Sequence, residues 1–301
     1  IHGNIITRIF PSKYSGNSLS DVVRDICLDI RSNIWLGTQY GLICYNPDIN
    51  KFEGIYLNDP LDPASLTDNH ISRVYADDNG LFWVVSQESI RLFDPIKRKI
   101  ELSPLLQKNN IQKVTSIIKI SEKIYWFGTL YGLFEVNFRD STVVALTDLI
   151  KDDRILPNTE IMQLTHDSKG NIWVGTINGS FAFNPVSKEL ISFENYSLKF
   201  GSSSGITEDN NGKIWLLSYN KNLSIYDPEK EQITKYKTED GLSPYANHLA
   251  KDKDGKMVMG DEKGFYRIPP DSLFISHDIP PVYITNMYIS GELVKVNKKP
   301  L

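Results

Sequence analysis

The stretch IWLGTQYGLICYNP, Ile34 to Pro47, reads as a short strand, a tight turn and a second strand, and a near copy, IWVGTINGSFAFNP, begins again at Ile172. A lone hairpin buries too little apolar surface to be stable in water. A chain that writes one hairpin repeatedly is therefore building its architecture from it. With Trp35 as the anchor, Trp83, Trp126, Trp173 and Trp215 follow, and Val258 fills the same slot in GKMVMGDEKGFYRIPP. The spacings are 48, 43, 47, 42 and 43 residues.

The flanking positions repeat as well. Six residues before the anchor stands Asp29, Asp77, Asp167, Asp209 or Asp252, and three before it Gly80, Gly170, Gly212 or Gly255. These are Asx/Gly turns, where the carboxylate bonds nearby backbone and glycine supplies a positive φ. Two residues after the anchor come Gly37, Gly128, Gly175 and Gly260, which let a neighbouring sheet approach closely. Gly41, Gly132, Gly179 and Gly264 follow at the hairpin tip, and Pro47, Pro95, Pro185, Pro228 and Pro270 close the strands. An alternating apolar run precedes each turn, as in VVRDICLD, and another follows each proline, as in EQITKYKT.

Each copy thus predicts four strands: an inner one, the anchor strand, its hairpin partner and an outer one. Four-stranded units every 40–50 residues mark β-propeller blades. The expected fold is all-β, a propeller with six visible blades over residues 1–275. The anchors should pack between adjacent blades. The sixth copy stops after three strands, and NIITRIF, Asn4 to Phe10, has the character of the missing outer strand, so the N-terminal strand is expected to close the last blade. Residues 276–301, beyond a boundary marked by Pro280-Pro281, read as a linker and the first strand of a truncated β-domain.

The 301 residues, 41% hydrophobic and 23% charged with a net charge of -4, are an ordinary globular composition. Scattered lysines on a mildly acidic chain argue against nucleic acid, which wants a clustered basic face. No apolar run approaches the length of about 18 residues that a membrane helix needs. The start at Ile1 reads as a cut piece of something longer. Cys27 and Cys44 are expected on strands separated by a third, about 9.5 Å apart by sheet spacing. That exceeds disulfide reach, and both read as buried thiols.

The repeats IWLGTQYGL, IWVGTINGS and YWFGTLYGL, with DGLSPYANH at 240–248, resemble the regulator-propeller repeats in sensors of hybrid two-component systems. The tail IPPVYITNMYISG resembles the opening of the triple-tyrosine β-sandwich that follows such propellers. The resemblance implies a periplasmic, extracytoplasmic sensor region that binds an oligosaccharide, controls polysaccharide-utilisation genes, and signals through the triple-tyrosine domain to a histidine kinase. It implies as partners a neighbouring propeller, the triple-tyrosine domain and a homodimeric receptor. Such propellers usually have seven blades, so the ring has either six or a seventh outside this sequence.

The search for chemistry yields little. GSSSG at 201–205 matches a hydrolase pattern but falls at the start of an inner strand, without the strand–turn–helix that motif needs. DKDGK and DNNGK lack the ligand spacing of a calcium loop. His2, His166 and His277 show no metal-ligand spacing, and His166 reads as a strand end. No catalytic residue, metal or cofactor is expected.

In a propeller the turns joining the middle strands and the loops entering the inner strands share one face. The candidate ligand residues there are Tyr40, His70, Glu88, Tyr131, Asn178, Tyr219, Asn220, His248 and Glu262. Aromatic faces suit the apolar patches of sugars, and amides and carboxylates suit their hydroxyls. Solvated turn residues and structural histidines are the competing explanation, residue by residue. At the level of the whole chain, the competitors are a propeller lyase or glycosidase, which needs paired carboxylates or a metal, and a protein-interaction scaffold, which needs a broad apolar patch.

Overall fold

The computed structural model describes residues 9–77, 80–87, 89–146, 159–187, 189–191, 203–218, 222–236, 246, 248–261, 264–273, 287–289 and 292–294. Six antiparallel sheets form a six-bladed propeller. Five have four strands in chain order from the axis outward, and the sixth has three. In blade one these are Val23–Leu28, Ile34–Thr38, Gly41–Asn46 and Lys51–Tyr56. The later inner strands are Ile71–Ala76, Val114–Ser121, Ile161–His166, Ser203–Glu208 and His248–Lys251. The α-helices of the described residues are two short ones, Ser12–Ser15 and Pro104–Lys108.

The blades hold together through five apolar cores, each built from two successive blades. Trp35, Leu42 and Cys44 of blade one pack on Ile71, Val74, Phe82 and Phe93 of blade two, the Trp35 ring lying 5.0 Å from that of Phe93 and 5.4 Å from that of Phe82. The same division recurs between blades two and three, three and four, four and five, and five and six. A blade is too thin to enclose a core of its own, so its two faces serve its two neighbours.

The repeated residues now have their causes. A Cβ on Gly37 would lie 2.9 Å from the Cγ2 atoms of both Ile71 and Val74, and one on Gly128 would lie 2.5 Å from Ile161 Cγ2. Neither position has room for a side chain. Thr38, Thr129 and Thr176 clamp the hairpins: each hydroxyl donates to the carbonyl of the tip glycine at 2.8–2.9 Å and accepts from the amide of Tyr40, Tyr131 or Asn178. The turn aspartates do more than turn the chain. Besides accepting from turn amides, Asp29, Asp167 and Asp209 accept from the anchor indole, Trp35, Trp173 or Trp215, at 2.9–3.0 Å.

Cys27 and Cys44 pair with Trp35 from either side of the anchor strand and are both free, as the spacing predicts, though Cys27 is half-buried rather than buried. Ser203 opens an inner strand, so GSSSG lacks the elbow its pattern requires. Asp209 and Asp252 spend one carboxylate oxygen on two turn amides each, at 2.8–3.0 Å. Among the described residues no cluster of three or more His, Cys, Asp or Glu side chains could hold a metal. Residues Asn4 to Arg8, on which the closing strand was expected, lie outside the described residues, and Ile9 and Phe10 carry no strand. The boundary prolines also lie outside them. Beyond, Met287–Ile289 and Glu292–Val294 pair as a separate hairpin.

Candidate functional site

The hairpin tips and the inner-strand entry loops do share one face. Gln39 N donates to Val22 O, Leu130 N to Lys113 O and Ile177 N to Glu160 O at 3.1 Å each, and Gly41 N donates to Asn69 O of the next blade at 2.6 Å. On this face Tyr40 and His70 are half-buried, while Tyr131 and Asn178 are exposed. The His70 ring shares a 3.2 Å hydrogen bond with the Gln87 side chain, whose backbone carbonyl accepts from Lys113 Nζ at 3.0 Å. Much of the polar capacity here stitches loops together. Glu88, Tyr219, Asn220 and Glu262 lie outside the described residues.

A cavity of about 520 Å³ sits at the ring axis instead. It is walled by the inner strands of blades one to four and six, and of the predicted ligand residues in the described set only His248 lines it. Around it runs a ring that sequence reasoning missed. Ten residues before each anchor stand Asp25, Arg73, Ser116, Gln163, Gly205 and His248. In blades one, two, four and five the register of the inner strand shifts at this residue, a β-bulge that turns it toward the following blade.

Four of the six reach the backbone of the next inner strand. Asp25 Oδ2 accepts from Val74 N at 2.9 Å, and Arg73 Nε donates to Thr115 O at 3.0 Å. Ser116 Oγ accepts from Leu164 N at 3.0 Å. Gln163 engages both polar groups of Ile206, Oε1 accepting from its N at 2.8 Å and Nε2 donating to its O at 3.1 Å. At Gly205 the next strand comes too close for any side chain: a Cβ there would lie 2.8 Å from Leu249 Cβ.

The charges on the cavity wall gather on blades six, one and two, as His248, Arg24, Asp25 and Arg73. Burial pushes the Asp25 carboxyl above its ordinary range, against the opposing pull of the Val74 amide and the Arg73 charge. Asp25 is the single carboxylate among the described lining residues; hydroxyl and amide groups come from Thr115, Ser116 and Gln163, and apolar contact from Val114, Ile117, Met162 and Leu164. Such a wall offers donors, acceptors and apolar contact for a polyhydroxylated molecule, and its volume falls within the range of small-molecule sites.

The two component regulator propeller family matches residues 155–178, the entry loop, inner strand and anchor hairpin of blade four. Among curated proteins the chain is 26% identical to histidine kinase P4 of Formosa agariphila over 92% of its own length, and spans 24% of that protein. Among solved structures it resembles the extracellular domain of the hybrid two component system BT3049 of B. thetaiotaomicron, with a TM-score of 0.69 and 19% identity over 87% of this chain and 34% of the other. Virginiamycin B lyase of Staphylococcus aureus also matches, with a TM-score of 0.59 and 14% identity over 83% and 82% of the two chains. At these identities the structural likenesses speak to the fold. With the family match in one repeat and the curated histidine kinase similar along nearly the whole chain, the protein is a propeller of the two component regulator type.

Proposed function

We propose that this propeller is the extracytoplasmic ligand-sensing region of a hybrid two-component sensor, and that it holds an oligosaccharide in the axial cavity without cleaving it. The observation that carries this reading is the cavity wall, with one carboxylate, three polar side chains and two arginines around about 520 Å³. Glycoside hydrolysis by the usual routes requires two carboxyl groups about 5–9.5 Å apart. The similarity to a histidine kinase supplies the signalling half of the proposal, with the kinase, a membrane anchor and control of polysaccharide-utilisation genes belonging to the longer receptor. The hairpin at 287–294 then begins a separate β-domain that passes the signal on, and the receptor works as a homodimer in the periplasm. No helix of the described residues is long and apolar enough to cross a membrane.

The test is a thermal-shift screen against neutral and acidic oligosaccharides, with chromatography of each sample for cleavage products. A ligand at a hundred times its dissociation constant adds about 2.7 kcal/mol to stability. A shift with the sugar intact supports the sensor. Cleavage products would replace it with a propeller lyase or glycosidase.

A further inference from the structure

Five of the six inter-blade junctions are sealed by the same positions; the sixth, between blades six and one, is not. In blade two, Ile71 and Val74 face blade one and are 0% and 5% exposed. Their equivalents in blade one, Val23 and Ile26, are 37% and 58% exposed. On the other lip the contrast is wider. The residue that pairs with the glycine two after the anchor, or with its equivalent, is Leu42, Ile90, Leu133, Ser180 and Leu223 in blades one to five, and all five are buried. In blade six it is Phe265, 72% exposed.

Other signs agree. A Cβ on Gly260 would meet His248 Cβ of its own blade at 3.7 Å, and nothing from blade one within 4 Å. Val258, in the anchor slot that elsewhere is sealed inside a junction, lines the axial cavity, which therefore opens sideways between the two blades. The amide of Ile26 stands where the amides of Val74, Leu164 and Ile206 receive the ring residue of the preceding blade. It bonds Asp25 Oδ1 at 3.0 Å instead.

The two lips are apolar at the positions where a terminal repeat that ends an array carries a polar capping face. They are also complementary in kind to the five sealed junctions: one lip presents the residues that fill a preceding blade's glycine groove, and the other presents that groove, at Gly260. Neither lip fits a flat partner surface as well as it fits a sheet of this repeat.

We propose that this cleft receives one further four-stranded blade of the same repeat, carried by the same polypeptide outside residues 1–301. The inserted blade places its anchor side chain over Val23 and Ile26, and sets apolar inner-strand residues into the groove at Gly260 and against Phe265. The axial cavity is thereby closed on its open side. This inference does not depend on the ligand.

A photo-crosslinking residue in place of Phe265 in the full-length protein tests it, because Phe265 is exposed in the 301-residue chain and tolerates replacement. The expected product is an intramolecular crosslink to a peptide outside residues 1–301, identified by mass spectrometry. A crosslink to the strand Val23–Leu28 would overturn the proposal, since the ring would then close on itself. So would a crosslink between two copies, or none. Thiol labelling gives a second reading: Ile26→Cys should react roughly ten-fold more slowly in the full-length protein than in the 301-residue chain, as expected for a site freed only by local opening. Equal rates would also overturn it.

Discussion

Asp29 Oδ2 accepts a hydrogen bond from the indole Nε1 of Trp35 at 3.0 Å, while its Oδ1 holds the amides of Arg31 and Asn33. One carboxylate therefore shapes a turn and fixes the rotamer of the largest side chain in the next strand. Asp209 repeats this with Trp215 in full burial. Blade six, with Val258 at the anchor, gives the bond to another partner: Arg267, which pairs with Val258 across the sheet, forms an ion pair with Asp252.

Replacing Asp209 by Ala leaves the buried Trp215 indole and two turn amides without an acceptor, so Asp209→Ala should cost about 1–3 kcal/mol in urea unfolding. Asp252→Ala, at an exposed turn, should cost clearly less.

Acid should act through the same carboxylates. Burial pushes Asp29 up, but the hydrogen bonds from Trp35 and from Asn33 and Arg31 outweigh it and hold the group below its ordinary range. Its contribution is then present above the unfolded value of about 3.9 and is lost as pH falls through the lower folded value. Asp29→Asn should flatten the acid limb of a stability–pH profile. Asp25, raised by burial, has the opposite sign: its contribution is present below about pH 3.9 and is lost as pH rises through the folded value.

The glycines two after the anchor should rank by the space behind them. Gly128→Ala, facing Ile161 Cγ2 at 2.5 Å, should lose about 1–3 kcal/mol. Gly37→Ala should lose less, because its 2.9 Å neighbours are side-chain methyls. Gly260→Ala, with 3.7 Å to its nearest atom, should leave the melting temperature of the 301-residue chain unchanged.

Within the ring, structural and ligand-facing roles should separate. Gln163→Ala removes both bonds to Ile206 and should lower stability by about 1–3 kcal/mol. His248→Ala should weaken oligosaccharide binding in calorimetry while shifting the unfolding midpoint little. A stability loss at His248 as large as at Gln163 would make it a packing residue.

Burial pushes the Cys27 and Cys44 thiols up to about 12, so neither is a thiolate at neutral pH. Ellman's reagent should titrate both only after denaturation.

The propeller was legible because the repeat spends the same residue on the same task in most blades: an aspartate under the indole, a glycine where the next sheet presses in, a threonine across the hairpin. The ring at the axis was not. Asp25, Ser116 and Gln163 all bind a neighbouring amide, yet Arg73 binds a carbonyl and Gly205 simply makes room, so identity-based matching passes over the column they form. A count of ten residues back from each anchor would have found it. The loop-face residues were placed correctly as a surface, but the backbone of the tips and the His70–Gln87 pair are occupied with one another, and of that set only His248 turns inward to the axis.

Because every apolar core is shared by two blades, the propeller behaves as a line of neighbours joined by five couplings. Blades one and six each hold one coupling, and every other blade holds two. Amide exchange should therefore be slowest in the strands around Trp126 and Trp173 and quicken toward both ends of the line, the profile of a zipper that frays from its tips.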